Sequence, residues 1–181
     1  MRYAYFVLGI GFLVILGALY FFVPRYTEDM FMLSSSAFSE NTSIPSLYTC
    51  DGNNVSPPLS ISGTPTGTKS FALVMNDPDV PKGRVPNDVF DHWIVFNIPP
   101  DTTEFKEGEV PRGIEGTNTA GKTSYTGPCP PDREHRYFFK LYALDATLNL
   151  PEDATASEVE QAMEGHILGR AELMGRYSRT R

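Results

Sequence analysis

Apolar residues fall into two kinds of run along this chain. From Tyr3 to Val23 they are continuous, "YAYFVLGIGFLVILGALYFFV", and carry no charge. At about 1.5 Å per helical residue the stretch measures roughly 30 Å, the thickness of a bilayer's hydrocarbon core. It reads as a membrane-spanning helix or a long signal peptide. A cleaved signal has an apolar region of roughly 7–15 residues closed by small residues, whereas this one passes into "LYFFVPRY", which favours an uncleaved anchor. Arg2 precedes the span, and Arg25 behind it is soon answered by Glu28 and Asp29. That charge pattern places the following domain outside the cytoplasm.

Beyond the span the apolar runs are short and punctuated by Gly and Pro, 15 of each in the chain. Such spacing predicts strands. "KSFALVM" (Lys69 to Met75), "HWIVFNI" (His92 to Ile98) and "RYFFKLYALD" (Arg136 to Asp145) are the three strongest, with "MLSSSAF" and "PPLSISG" as shorter candidates. One segment carries a helical period, "TASEVEQAMEGHILGRAELMGRY". There Thr155 and Ser157 each precede a Glu by three residues, a capping-box spacing, and Val159, Met163, Ile167 and Met174 form an apolar stripe. The expected architecture is therefore a membrane anchor and linker over residues 1–30, then one mainly β domain with a C-terminal helix over residues 31–181.

Charge and cysteine content narrow the function classes. A formal net charge of -7 over 181 residues argues against a nucleic-acid partner, which needs basic surface to displace counterions. Cys50 and Cys129 are too few and too far apart for a zinc ribbon, leaving a disulfide or two buried thiols as alternatives. "GTNTAGKT" (Gly116 to Thr123) satisfies the phosphate-loop pattern G-x-x-x-x-G-K-[ST]. Its context fails on both sides. "EFKEGEVPRGIE" before it is charged and broken by Pro111, and "SYTGPCPPD" after it holds three prolines where a helix would have to open.

The chemistry-bearing residues gather at strand ends. "NDPDVP" puts Asp77 and Asp79 at the end of the first run, i and i+2 in extended chain, so that both carboxylates could face one cleft. His92 opens the second run beside Trp93. His135 and Tyr137, again i and i+2, open the third behind the proline-rich "GPCPPD". Each is ordinary alone, since a lone "DPD" is usually a turn. Together they offer two carboxylates, two imidazoles and a phenol.

In their order, "YTCDGNNVSPPLSISG", "FALVMNDPDVP", "DHWIVFNIPP", "GPCPPDREHRYFFKLYALD" and "AMEGHILGRAELMGRY" resemble the phosphatidylethanolamine-binding protein family, in particular its prokaryotic, Raf kinase inhibitor-like branch. The resemblance covers about Phe31 to Tyr177. It implies a Greek-key β-sandwich with a C-terminal helix, no required metal or other cofactor, and a small pocket that takes anions such as phosphate or a phospholipid head group. Carried over by position, the pocket residues are Asp77, Asp79, His92, Gly127, Pro128, His135 and Tyr137. Carboxylates repel phosphate, so the expected role of the aspartates is to hold an imidazole in its cationic form, with His92 or His135 donating to the anion beside the Tyr137 hydroxyl. Backbone amides of the Gly127 loop would add donors. Lys82 and Arg84, in a longer link between "DPDVP" and "HW", would overhang the pocket mouth.

The first functional expectation is thus a membrane-anchored binding module for a small anion or lipid head group. A second is an inhibitor or regulator acting on a protein partner, a kinase or protease, through its surface. A third is a metal-assisted hydrolase with Asp77, Asp79, His92 and His135 as ligands. No serine elbow of the G-x-S-x-G kind is present, and no other catalytic motif marks the chain as an enzyme.

Overall fold

The computed structural model describes residues 30–109 and 111–179. Among the described residues nine strands form two sheets: β1 (Met32–Ser34), β2 (Thr42–Ser43), β3 (Leu59–Ser62), β4 (Ser70–Asp77), β5 (Phe90–Ile98), β6 (Glu104–Phe105), β7 (Ile114–Glu115), β8 (His135–Leu144) and β9 (Ile167–Tyr177). The larger sheet has the order β2-β9-β8-β4-β5-β7 and the smaller β1-β3-β6. All pairings are antiparallel except that of β2 with β9.

The apolar runs of the central strands do not alternate with polar residues because the large sheet is covered on both faces. One face packs on the small sheet: Phe71, Leu73, Met75, Trp93, Val95, Phe139 and Leu141 meet Leu33, Leu59, Ile61 and Phe105. On the other face Ala72, Val74, Ile94 and Phe96 pack against Leu148, Ala154, Val159 and Met163. All eight residues of β4 are buried, so its sequence has no reason to alternate.

Two points of the expected architecture are corrected. Among the described residues no helix is long and apolar enough to cross a membrane, and the Tyr3 to Val23 stretch lies outside the described residues. The C-terminal helix predicted over Thr155 to Tyr177 is confined to α1 (Ala156–Ala162). The capping box starts it as expected, with the Thr155 side chain accepting from the Glu158 amide and Glu158 reaching back to the Thr155 amide. Gly165, at φ +82°, then turns the chain in a left-handed conformation that costs glycine nothing. Past this turn the chain runs as β9, an 11-residue strand whose burial from Ala171 alternates, Ala171, Leu173, Gly175 and Tyr177 inward. The apolar stripe of period 3.6 was a coincidence between two elements of different period.

The segment that mimics a phosphate loop is a turn organised by Asn118. Its backbone N–H donates to the Lys122 carbonyl (2.9 Å), and its side-chain oxygen accepts from the amides of Ala120 and Lys122 (both 3.0 Å). Gly116 runs so close to Ala154 and Ile94 that a Cβ would stand 2.3 Å from the Ala154 oxygen. Both glycine and amides serve packing and turn geometry.

Candidate functional site

At one end of the large sheet, β4, β5 and β8 bring four of the expected residues together. β8 runs antiparallel beside β4, so its first residues lie next to the last residues of β4. His135 and Tyr137 share the face of β8 that looks into the core between the sheets, and both are fully buried. His92 reaches the same place by a β-bulge. Met75 pairs with Trp93 but the next residue, Asn76, pairs with Asp91, so His92 is the extra residue on its strand and is aimed differently from the regular alternation. Its ring lies edge-on to Tyr137, centroids 5.3 Å apart, with Phe90 at 4.6 Å on another side.

His135 is held at both nitrogens. Nδ1 lies 2.7 Å from Oδ2 of Asp77 and Nε2 lies 2.9 Å from Oδ1 of Asp132. With both carboxylates ionised, each accepts only, so each ring nitrogen must donate. Asp77 also accepts from the Asp79 amide at 2.8 Å. Burial raises the pKa of Asp77 and outweighs the opposing hydrogen bond from His135. Asp132 is held below the ordinary carboxylate range by its hydrogen bonds to His135 and to the Arg133 amide.

His92 has the opposite character to the one expected. Nδ1 stands 2.6 Å from the Thr126 carbonyl, which can only accept, so Nδ1 carries the proton. Burial pushes the pKa down to about 4. At neutral pH the ring is therefore uncharged, and Nε2 is a lone-pair acceptor rather than a donor. Tyr137 offers the complement. Its hydroxyl is buried and makes no hydrogen bond among the described residues, while burial and the nearby Asp77 raise its pKa so that it keeps its proton.

The remaining expected residues stand at the margins. Asp79 turns away and takes the Arg136 guanidinium on both oxygens (2.8 Å each), an arrangement that lowers its pKa to about 2. β4 ends at Asp77, so the extended-chain rule that would align the two carboxylates stops applying at Pro78. The Gly127 amide donates to Asn54 Oδ1 at 2.7 Å and the Pro128 carbonyl accepts from Cys50. Neither is a spare anion donor. A Cβ on Gly127 would stand 2.4 Å from the Tyr48 oxygen, which explains the glycine by close approach of two loops. The same two loops are joined by the Cys50–Cys129 disulfide. Lys82 and Arg84 are exposed and form no ion pair among the described residues. The metal-ligand expectation is also corrected: among the described residues no group of three or more His, Cys, Asp or Glu side chains is placed to hold a metal ion. Asp77 and His135 bond each other, and Asp79 and His92 are engaged elsewhere.

Three contributors lay outside the sequence reading. Asp132 caps His135, the Thr126 carbonyl orients His92, and Asn118 donates to the His92 carbonyl, the Ser124 carbonyl and the Thr126 hydroxyl (3.3, 2.8 and 3.0 Å), fixing the loop that carries Thr126. A carboxylate three residues before a strand-opening histidine was the only visible signal.

Comparison with known proteins agrees with this topology. The family model described as phosphatidylethanolamine-binding protein matches residues 34–178. A UPF0098 protein of Methanothermobacter thermautotrophicus is 50% identical over 153 residues, covering 81% of this chain and 98% of its own. The crystal structure of a phosphatidylethanolamine-binding protein homolog from Chlamydia trachomatis superimposes with a TM-score of 0.81 at 44% identity, covering 83% of this chain and 99% of the other. Escherichia coli YbcL gives 0.76 at 29% identity, with 84% and 100% covered. The chain belongs to the phosphatidylethanolamine-binding protein family.

Proposed function

We propose that the protein binds a small oxyanion, inorganic phosphate or the phosphate of a phospholipid head group, where Asp77, His92, His135 and Tyr137 meet. One observation carries this reading. The fully buried His135 presents Nε2 to a carboxylate oxygen of Asp132, a loop side chain 46% exposed to solvent. That point of the site already holds an anion, and it is held by a group that can swing out. A phosphate oxygen replacing Asp132 there would accept from Nε2 while a second accepts from the idle Tyr137 hydroxyl. A phosphate that keeps one proton would donate it to Nε2 of neutral His92. Asp77, behind His135, holds the ring and does not touch the ligand.

The reading fixes the pH response. A phosphate monoester loses its second proton near pH 6, and the dianion has nothing to give His92 and meets the site's carboxylates. Calorimetric titration of the full chain with phosphorylethanolamine and with inorganic phosphate should show tighter binding at pH 6 than at pH 8, and Asp132→Asn should tighten both. Equal or stronger binding at pH 8, or no heat at either, would overturn it. Preference for phosphorylethanolamine over phosphate would assign the head group as the source. The Cys50–Cys129 disulfide supports an oxidising working environment as part of the same proposal.

A further inference from the structure

The opposite face of the large sheet carries a second polar site that the proposed anion pocket does not use. A cleft of about 540 Å³ lies between the ends of β4, β5 and β8 and the start of α1, within the size range of small-molecule sites. Its floor is made by the strand residues that alternate with the anion pocket's own. Asn76 and Asp91 pair across β4 and β5. Lys140 is on β8, and Glu160 overhangs from α1. Val89, Pro86 and Ala156 supply apolar wall.

Two features mark the cleft as unfilled chemistry. Asn76 is 7% exposed, and its side-chain oxygen makes no hydrogen bond, a costly state for a buried amide. The Asp91 side chain forms neither a hydrogen bond nor an ion pair among the described residues. Only its backbone is engaged, the amide donating to the Thr119 hydroxyl and the carbonyl accepting from the Thr119 amide. The single cation of the lining is Lys140, whose ammonium lies 5.9 Å over the Phe138 ring and forms no ion pair with Asp91 or Glu160 among the described residues. Asp91, Glu160 and Lys140 are the charged groups of the lining, which leaves it net negative and rich in acceptors.

We propose that this cleft binds a small alkylammonium ion, its three N–H donors accepted by Asp91, Glu160 and the Asn76 side-chain oxygen and its chain lying on the apolar wall. Three donors on one nitrogen meet three acceptors that lack partners of their own kind. A carboxylate or phosphate ligand would meet the same acceptors with none to satisfy them. Burial and the neighbouring Glu160, opposed by Lys140, push Asp91 up to about 6, so the site is switched off by mild acid, the reverse of the pH response expected of the anion pocket.

Saturation-transfer NMR on the full chain with n-propylammonium, 1-propanol and propanoate tests the assignment. Propylammonium should bind and the two isosteres should not, with affinity roughly tenfold higher at pH 7.5 than at pH 5 as Asp91 ionises. Asp91→Asn, which preserves shape, should weaken binding at least about tenfold, and Glu160→Gln on the exposed helix face by a smaller factor. Tyr137→Phe should leave propylammonium binding unchanged, so that failure at either site is seen separately. Propanol binding as well as propylammonium, or Asp91→Asn binding like the wild type while folded, would overturn the proposal.

Discussion

His92 gives the sharpest quantitative test, because its neutrality decides whether the pocket offers a proton or a lone pair. Burial lowers its pKa from 6.5 to about 4 in the folded chain. Protons therefore bind the unfolded imidazole first. The stability that the buried neutral ring contributes is fully present above pH 6.5 and is lost as pH falls toward 4. The linkage relation between those two values gives a loss of about 2.5 kcal/mol on going from pH 7 to pH 4.5. Asp77 and Asp91 act in the opposite sense. Their folded pKa values are raised, so they favour the folded state on the acid side and partly mask the effect in the wild type. The difference between wild type and His92→Gln, measured by urea unfolding at half-unit pH steps, removes that background. It should shrink by about 2.5 kcal/mol between pH 7 and pH 4.5, and the His92 ring should titrate well below pH 6 by NMR. A pH-independent difference, or a ring that titrates near 6.5, would refute both the burial argument and the acceptor role.

Single contacts give further outcomes. Asp77→Asn leaves one acceptor oxygen for two donors, His135 Nδ1 and the Asp79 amide, and should cost about 1–3 kcal/mol in chemical denaturation; wild-type stability would show that the two bonds do not matter. Tyr137→Phe removes a hydroxyl that makes no hydrogen bond among the described residues, so stability should hold or rise by up to about 1 kcal/mol while phosphate binding weakens, and parallel losses would contradict the assigned role. Reducing the disulfide opens a link between residues 79 apart, worth about 4.5 kcal/mol by loop entropy. Calorimetry with and without reductant should show the melting temperature fall by about 10–18 °C, and an unchanged melt would mean the tie is redundant.

What could be read from the chain depended on burial. β4, β5 and β8 were legible because a sheet covered on both faces demands continuous apolar runs, and those three are its centre. β9 was hidden by a genuine capping box at Thr155 and by residues whose spacing fits two periods at once. Only Gly165, seen as a helix stop, could have separated them. β2, β6 and β7 have two residues each and carry no period. At the site, the i, i+2 rule placed His135 and Tyr137 on one inward face because β8 is regular there. It misplaced Asp79 because the strand ends at Asp77, and it could not foresee the bulge that aims His92. Burial, which turned His92 from donor to acceptor, belongs to the tertiary structure and is written in no local motif.

The most direct measurement is a crystal structure of the protein grown at pH 6 with phosphorylethanolamine. The expected result is a phosphate with one oxygen within hydrogen-bond reach of the Tyr137 hydroxyl, another on Nε2 of His135, and Asp132 turned out to solvent. A phosphate bound elsewhere, or Asp132 still on His135 with the pocket unchanged at saturating ligand, would contradict the central claim.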